Sequence, residues 1–261
     1  MTLEQTIQRI EGPDEQAMGQ AKRRWDTIAH PLNSLGLLEQ NVVRIAGLTG
    51  DQGYTIEKRC VAVLCADNGV VAQGVTQTGS EITALVAKNL TVGDSCVCRM
   101  AKMAHTDVVP VDMGMFTNVE APGLWQRKVA YGTKDMTVEP AMTRQQAVQA
   151  IETGIALVRE LKELGYKIIA TGEMGIGNTT TSSAVASVLL GQPVEAVTGR
   201  GAGLSTAGLG RKIEAIRQAV ALHGPDARDP VDVLHKVGGF DIAGMAGLYL
   251  GGFPPWRPCA P

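Results

Sequence analysis

An α/β architecture, built on a largely parallel sheet with crossover helices, follows from this sequence on three counts. Short apolar runs of strand type alternate with amphipathic helical patterns. Glycine-rich loops sit directly after strand candidates, where open α/β sheets place their ligand-contacting segments. The composition, 44% hydrophobic with 31 glycines and only 4% aromatic residues, suits tight turns and Ala/Val/Leu packing. At 261 residues the chain can bury one sizeable core or two small domains.

Residues 1–50 read as helical. Pro13 and Asp14 open a polar helix to about Ala29, and the stretch His30–Ser34 breaks it. Leu35, Leu38, Val42, Ile45 and Leu48 then recur at helical spacing. The run CVAVLC (60–65) reads as a buried strand, with Asp67-Asn68-Gly69 as its exit loop. A helix follows from about Ser80 to Leu90, with Thr78 or Ser80 as its N-cap. Asp107–Met113 reads as a second strand and Lys128–Tyr131 as a short third one.

Thr143 and Gln146 fit a capping box. Ala147, Ile151, Ile155, Val158 and Leu161 continue that helix on one face, and Gly165 suits the position just past its end. A strand over Lys167–Ala170 comes next. A second glycine-rich loop, Thr198–Gly208, precedes a helix expected from about Leu209 to Leu222, and residues 223–230 read as a connecting turn. A third, Gly238–Gly244, opens the last apolar helix.

The bulk numbers exclude several functions. A net charge of −2 gives no electrostatic footprint for nucleic acid or an anionic membrane. Cys60, Cys65, Cys96, Cys98 and Cys259 have neither disulfide-framework nor paired zinc-ligand spacing and read as reduced, buried thiols. His30, His105, His223 and His235 form no metal-ligand spacing. With no signal peptide and no 18-residue apolar run, the expectation is a soluble cytoplasmic protein.

The most informative stretch is KIIATGEMGIGNTTTSS (167–183), read as strand, glycine-rich turn and hydroxyl-rich helix start. Glycines let the backbone approach a ligand, and N–H groups at a helix start attract phosphate. Glu173 stands ahead of that cradle, where a carboxylate could hold a sugar hydroxyl or a cation. No lysine follows the glycines as in a Walker A loop, and the register is not that of a dinucleotide fingerprint. The residues alone leave two readings open: a phosphate or phosphoribosyl site, or a strand–helix turn with ordinary Ser/Thr capping. Arg211 and Lys212 read as first-turn cations of the following helix, where the dipole disfavours them. Either a bound phosphate offsets that cost or both side chains are simply solvated.

Five segments together resemble the nicotinate-nucleotide–dimethylbenzimidazole phosphoribosyltransferases. They are NSLGLLE (33–39), CADNGVVAQGV (65–75), GEMGIGNTTTSS (172–183), GRGAGL (199–204) with Lys212, and KVGGFDIAGMAG (236–247). They occur in the family's order and span nearly the whole chain. The resemblance implies transfer of 5-phosphoribosyl from nicotinate mononucleotide to a benzimidazole, giving α-ribazole 5′-phosphate and nicotinate for the lower ligand of cobamides. It implies a Rossmann-like parallel sheet at 51–252, a small helical subdomain at 1–50 whose other half comes from the C-terminus in the family, a homodimer, and no metal or other cofactor. Glu173 would lie by the ribose and the incoming base. Gly175, Gly177, Asn178, Thr179 and Thr180 would form the phosphate cradle, Gly201 and Gly203 would allow close approach, and Lys212 would bind phosphate. Asp241 would either contact the ligand or brace the loop, while Thr78 and Val86 would line the base pocket.

The chain also departs from that pattern. The position of Val86 is often a glutamine in relatives, and Asn68 replaces a frequent histidine. A more apolar pocket suits a different base, including a phenolic one. The text then changes abruptly to FPPWRPCAP (253–261), with four prolines in nine residues, which cannot continue a strand or helix. The expectation here is a truncated or frameshifted tail. The family's general-base glutamate would fall beyond it, leaving Glu173 as the motif carboxylate, and turnover would be weak or absent, down to a remnant that only binds nicotinate mononucleotide.

Overall fold

The computed structural model describes residues 1–252, so the expected proline-rich tail at 253–261 lies outside the described residues. A four-stranded sheet forms the centre, from β1 (Arg59–Ala66), β2 (Asp107–Gly114), β3 (Trp125–Gln126) and β4 (Ile168–Met174). Their spatial order is β3-β2-β1-β4 and every pairing is parallel. Residue 60 pairs with 107 on one side and with 169 on the other, so β1 is enclosed between both neighbours. That explains its unbroken apolar run, since a central parallel strand is covered on both faces.

Side-chain alternation along β1 splits the core into two layers. Cys60, Ala62, Leu64 and Ala66 join Val109, Val111 and Met113 of β2 against α6 (Arg144–Glu163) and α11 (Phe240–Gly251). Val63 and Cys65 face the other way, onto Ala87 and Leu90 of α4 (Glu81–Thr91) and Cys98 of α5 (Cys96–Met103). α4 and α5 thus carry the β1–β2 crossover on one face, and α6 carries the β3–β4 crossover on the other. The α6–α11 contact is unusually close. Gly154, Gly244 and Gly247 stand where the two helix backbones meet, leaving no room for a Cβ at Gly154 or Gly247.

Helix starts follow the sequence signals. Thr143 and Gln146 make the reciprocal capping-box bonds of α6, and Gly165 takes the left-handed conformation just beyond its end. Asp14 caps α2 (Glu15–Asp26), which packs on α3 (Leu37–Thr49). α1 (Leu3–Gln8) stands apart from that pair: Leu3 N–H donates to Glu152 of α6 at 2.9 Å.

Several expectations need correction. The short strand at Lys128–Tyr131 is absent, and β3 is Trp125–Gln126 instead. Lys128 is otherwise engaged, with its ammonium 2.9 Å from Asp112 and 4.9 Å from the Tyr131 ring centroid. β4 runs on through Gly172 and Glu173, because β1 pairs with it along its full length. The helix after the second glycine-rich loop, α9 (Thr206–His223), starts three residues early, capped by Ser205. Arg211 and Lys212 therefore sit in its second turn, and the dipole penalty argued for the first turn does not apply. Residues 224–229 form the expected connecting turn, but an unexpected helix, α10 (Pro230–Val237), follows it with Asp229 as its cap. Cys96 is exposed rather than buried. Among the described residues no helix is long and apolar enough to cross a membrane.

Candidate active site

The candidate site is assembled where β1 and β4 end. The loop after β1, the turn from β4 into α7 (Asn178–Leu190), the 199–204 loop and the start of α11 all converge there. Specific bonds tie them together. Asn68, fully buried, donates through Nδ2 to the Ile176 carbonyl at 3.4 Å. Ile176 N–H in turn donates to Thr83 Oγ1 of α4 at 3.1 Å. Gln77 donates to the Gly203 carbonyl, and Arg211 Nε donates to the Gly74 carbonyl at 3.2 Å. The second glycine-rich loop is thereby held against the segment that follows β1.

Glu173 is the last but one residue of β4 and is exposed at the sheet end. Asn178 donates from Nδ2 to its carboxylate and accepts at Oδ1 from Thr179 N–H at 2.7 Å. One amide therefore orients the carboxylate and accepts from a first-turn N–H of α7, whose N-cap position is Gly177. Partial burial raises the Glu173 carboxyl above its ordinary range, and the Asn178 bond opposes the shift. A carboxylate of raised basicity, aimed by a fixed donor, suits a general base. This also revises the expected role of Asn178, whose side-chain donor is spent on Glu173 rather than left for phosphate.

Gly175 and Gly177 both stand where a side chain would not fit. Gly177 has φ +92°, which favours glycine, and a Cβ there would lie 2.9 Å from Val71 Cγ2. A Cβ on Gly175 would overlap the Ala66 carbonyl oxygen and reach within 2.9 Å of Asp241 Oδ2. Thr179 is exposed, but Thr180 is fully buried with an unpartnered hydroxyl, so its side chain lies beneath the turn and not on it.

Lys212 is buried, which removes the reading of a simply solvated side chain. Its side chain is 1% exposed. The ammonium donates to Thr179 Oγ1 at 2.8 Å and to the Gly199 carbonyl at 3.2 Å. No carboxylate among the described residues pairs with it. Burial lowers its pKa. Gly201 (φ +55°) closes over the pair, since a Cβ there would stand 2.8 Å from Thr179 Oγ1 and 3.5 Å from Lys212 Nζ. The structure thus joins the two glycine-rich loops through one lysine, which neither loop's sequence specifies.

The remaining expected residues are placed unevenly. Thr78 is exposed, next to Gln77 and the Gly203 loop. Val86 is half-buried on α4 and packs with Met174 against the Val63–Cys65 layer. Asp241 is fully buried at the start of α11. Thr83 and Gln77 escape a reading of the sequence; the only hint is their position in and just before α4, among other polar residues.

Residues 10–254 match a family model described as phosphoribosyltransferase, which defines the class of protein. A nicotinate-nucleotide–dimethylbenzimidazole phosphoribosyltransferase of Acetivibrio thermocellus is 45% identical over 249 residues, covering 95% of this chain and 71% of that protein. One from a Roseiflexus species is 48% identical over 250 residues, with the same coverage. The crystal structure of CobT from Thermus thermophilus superposes with a TM-score of 0.85 at 37% identity, over 91% of this chain and 71% of that one. The chain belongs to the nicotinate-nucleotide–dimethylbenzimidazole phosphoribosyltransferase family.

Proposed function

We propose that this protein binds nicotinate mononucleotide and transfers its 5-phosphoribosyl group to a benzimidazole, releasing nicotinate. The observation that carries the reading is the buried Lys212 ammonium, held by two neutral oxygens with no carboxylate beside it. A buried charge without a counter-charge is costly, and an anionic ligand removes that cost. The phosphate of the donor is such a ligand, set between Lys212, the Thr179 hydroxyl and the start of α7.

The glycosidic bond from C1′ to the pyridinium nitrogen breaks, and its electron pair leaves on the ring nitrogen, so the pyridine ring of the released nicotinate is uncharged. The benzimidazole's unprotonated nitrogen attacks C1′ from the opposite face, inverting β to α. Glu173 takes the proton from the other ring nitrogen, so the product base is neutral. The transition state gains oxocarbenium character, which a nearby carboxylate also favours. Holding donor and acceptor in line supplies much of the remaining acceleration. The apolar surroundings of Val86 support acceptance of bases with less hydrogen bonding, including phenols. Competition between dimethylbenzimidazole and phenol measures that preference. The same reading makes the working form a cytoplasmic homodimer, consistent with exposed apolar residues on α3 such as Leu37 and Leu38.

The direct test is mass-spectrometric detection of α-ribazole phosphate together with nicotinate release. No product with either base, from protein that binds the donor, would refute the transfer reading. Lys212→Met should weaken nicotinate mononucleotide binding about 10- to 100-fold, the loss of one to two charge-assisted hydrogen bonds. Calorimetric titration checks this. The rate should also fall on acidification, through a carboxyl pKa raised above the ordinary glutamate value, because Glu173 must be ionised to accept a proton.

A further inference from the structure

The backbone of Ile176 is held on both sides by fully buried side chains. Its N–H donates to Thr83 Oγ1 at 3.1 Å, and its carbonyl accepts from Asn68 Nδ2 at 3.4 Å. Ile176 stands between Gly175 and Gly177, neither of which leaves room for a Cβ. Within the turn, Asn178 N–H donates to the Gly175 carbonyl at 3.1 Å and Thr180 N–H to the Gly177 carbonyl at 2.9 Å. Those bonds join the turn to its own helix, α7. The Thr83 bond joins it to a different one, α4.

A turn rich in glycine has little stiffness of its own, so its shape depends on what it is tied to. Thr83 lies in the first turn of α4, three residues before Val86, and residues at that spacing share a helix face. Beyond Ile176 come Asn178, which aims Glu173, and Thr179, which bonds Lys212. We propose that Thr83 is a positioning residue, whose hydroxyl fixes the turn from Glu173 to Thr179 against the α4 face that carries Val86. The proposed base site and the donor cradle then keep one spacing, as in-line attack on C1′ requires.

The hydroxyl is itself braced. Having accepted from Ile176, Thr83 still has one proton to place, and the buried Asp67 carboxylate stands beside it. Burial raises the Asp67 carboxyl above its ordinary range, and the Thr83 hydroxyl and the Phe116 N–H oppose that rise. Asp67 is fixed in turn by the strand ends around it. Its Oδ2 accepts from Phe116 N–H at 2.8 Å, and its own N–H donates to the Gly114 carbonyl, the last residue of β2, at 3.0 Å. Its carbonyl accepts from Thr133 N–H at 3.0 Å. The support of the turn thus leads back to the ends of β1 and β2.

Two substitutions separate the hydroxyl from the packing. Thr83→Val keeps the shape and removes the bond, whereas Thr83→Ser keeps the hydroxyl and removes a methyl group. In nicotinate release with dimethylbenzimidazole, Thr83→Val should lower kcat about 10- to 100-fold, with donor KM changed less than about threefold. Thr83→Ser should keep kcat within about threefold of the parent. Equal rates for the two variants, or a serine variant slower than the valine one, make Thr83 a packing residue and overturn the proposal. The rate comparison rests on the transfer reading, and a second readout does not. Amide hydrogen exchange of the full chain should show Ile176 protected in the parent and in Thr83→Ser, and exchanging at least about tenfold faster in Thr83→Val. An Ile176 amide that exchanges in the parent as fast as an open turn amide overturns the bond, whether or not Thr83→Val folds. Absence of turnover in the parent refutes the transfer reading, and the exchange rates then decide for or against the bond.

Discussion

Glu173→Gln is expected to reduce nicotinate release by about 10²- to 10⁴-fold, the usual contribution of a positioned acid–base group. The glutamine keeps the side-chain length and still offers an oxygen to the Asn178 amide, which now orients the carboxylate. Donor affinity should change little, since the proposed phosphate site is at Lys212 and Thr179, which bond to each other and not to Glu173. Steady-state kinetics and calorimetry separate the two effects. A kcat drop with near-constant donor Kd supports Glu173 as the base. A matching loss of affinity would make it a substrate ligand instead. Asn178→Ala should give a smaller version of the same kcat effect, because it frees the carboxylate without removing it.

Gly154→Ala is expected to have the largest effect on stability. Its Cβ would overlap the Gly244 carbonyl oxygen and lie 2.9 Å from both Gly247 Cα and Leu248 N. These are backbone atoms of α11, so no side chain can swing aside; the helices must separate. A loss of roughly 3 kcal/mol is expected, or roughly 6–12 °C in melting temperature. The damage would spread to the site, because α11 carries Asp241 in its first turn. Gly210→Ala on α9 is the matched control. Nothing lies within 4 Å of its Cβ position, and the change should stabilise by about 0.5–1 kcal/mol through helix propensity. Thermal melts of the two variants side by side check both signs.

The parts of this fold that are legible in sequence are those with local chemistry behind them. β1 reads directly because a central parallel strand needs both faces apolar, and Cys60–Ala66 supplies that. The start of α6 reads from its capping box and the end from Gly165. The misses have tertiary causes. Gly172 and Glu173 are poor strand residues, yet they stay in β4 because β1 offers a paired backbone beside them. Lys128–Tyr131 has strand-like alternation, but Lys128 turns its ammonium to Asp112 and to the Met115 carbonyl, and pairing has already ended at Gln126. For α9 and α10 the local signals are present but slight: Ser205 as a cap, and Asp229 with Pro230 at the first helical position.

The candidate site divides the same way. Glycines and hydroxyls at the β4–α7 turn announce a cradle by type. Their individual duties depend on what lies across from them. Thr179 becomes a partner of Lys212, thirty-three positions away, while its neighbour Thr180 turns inward and is buried. Asn178 serves Glu173. Asp241 meets Asn68 only because α11 begins where β1 ends. None of these pairings has a spacing that sequence periodicity could reveal.

The central claim is that the Lys212–Thr179 corner holds the phosphate of a nicotinate nucleotide. Titration calorimetry of the full chain with nicotinate mononucleotide and with nicotinate riboside, which lacks only that phosphate, tests it most directly. Saturable binding of the mononucleotide is expected, with at least about 100-fold weaker binding of the riboside, as charge-assisted bonds to a buried ammonium require. Equal affinity for the two would contradict it.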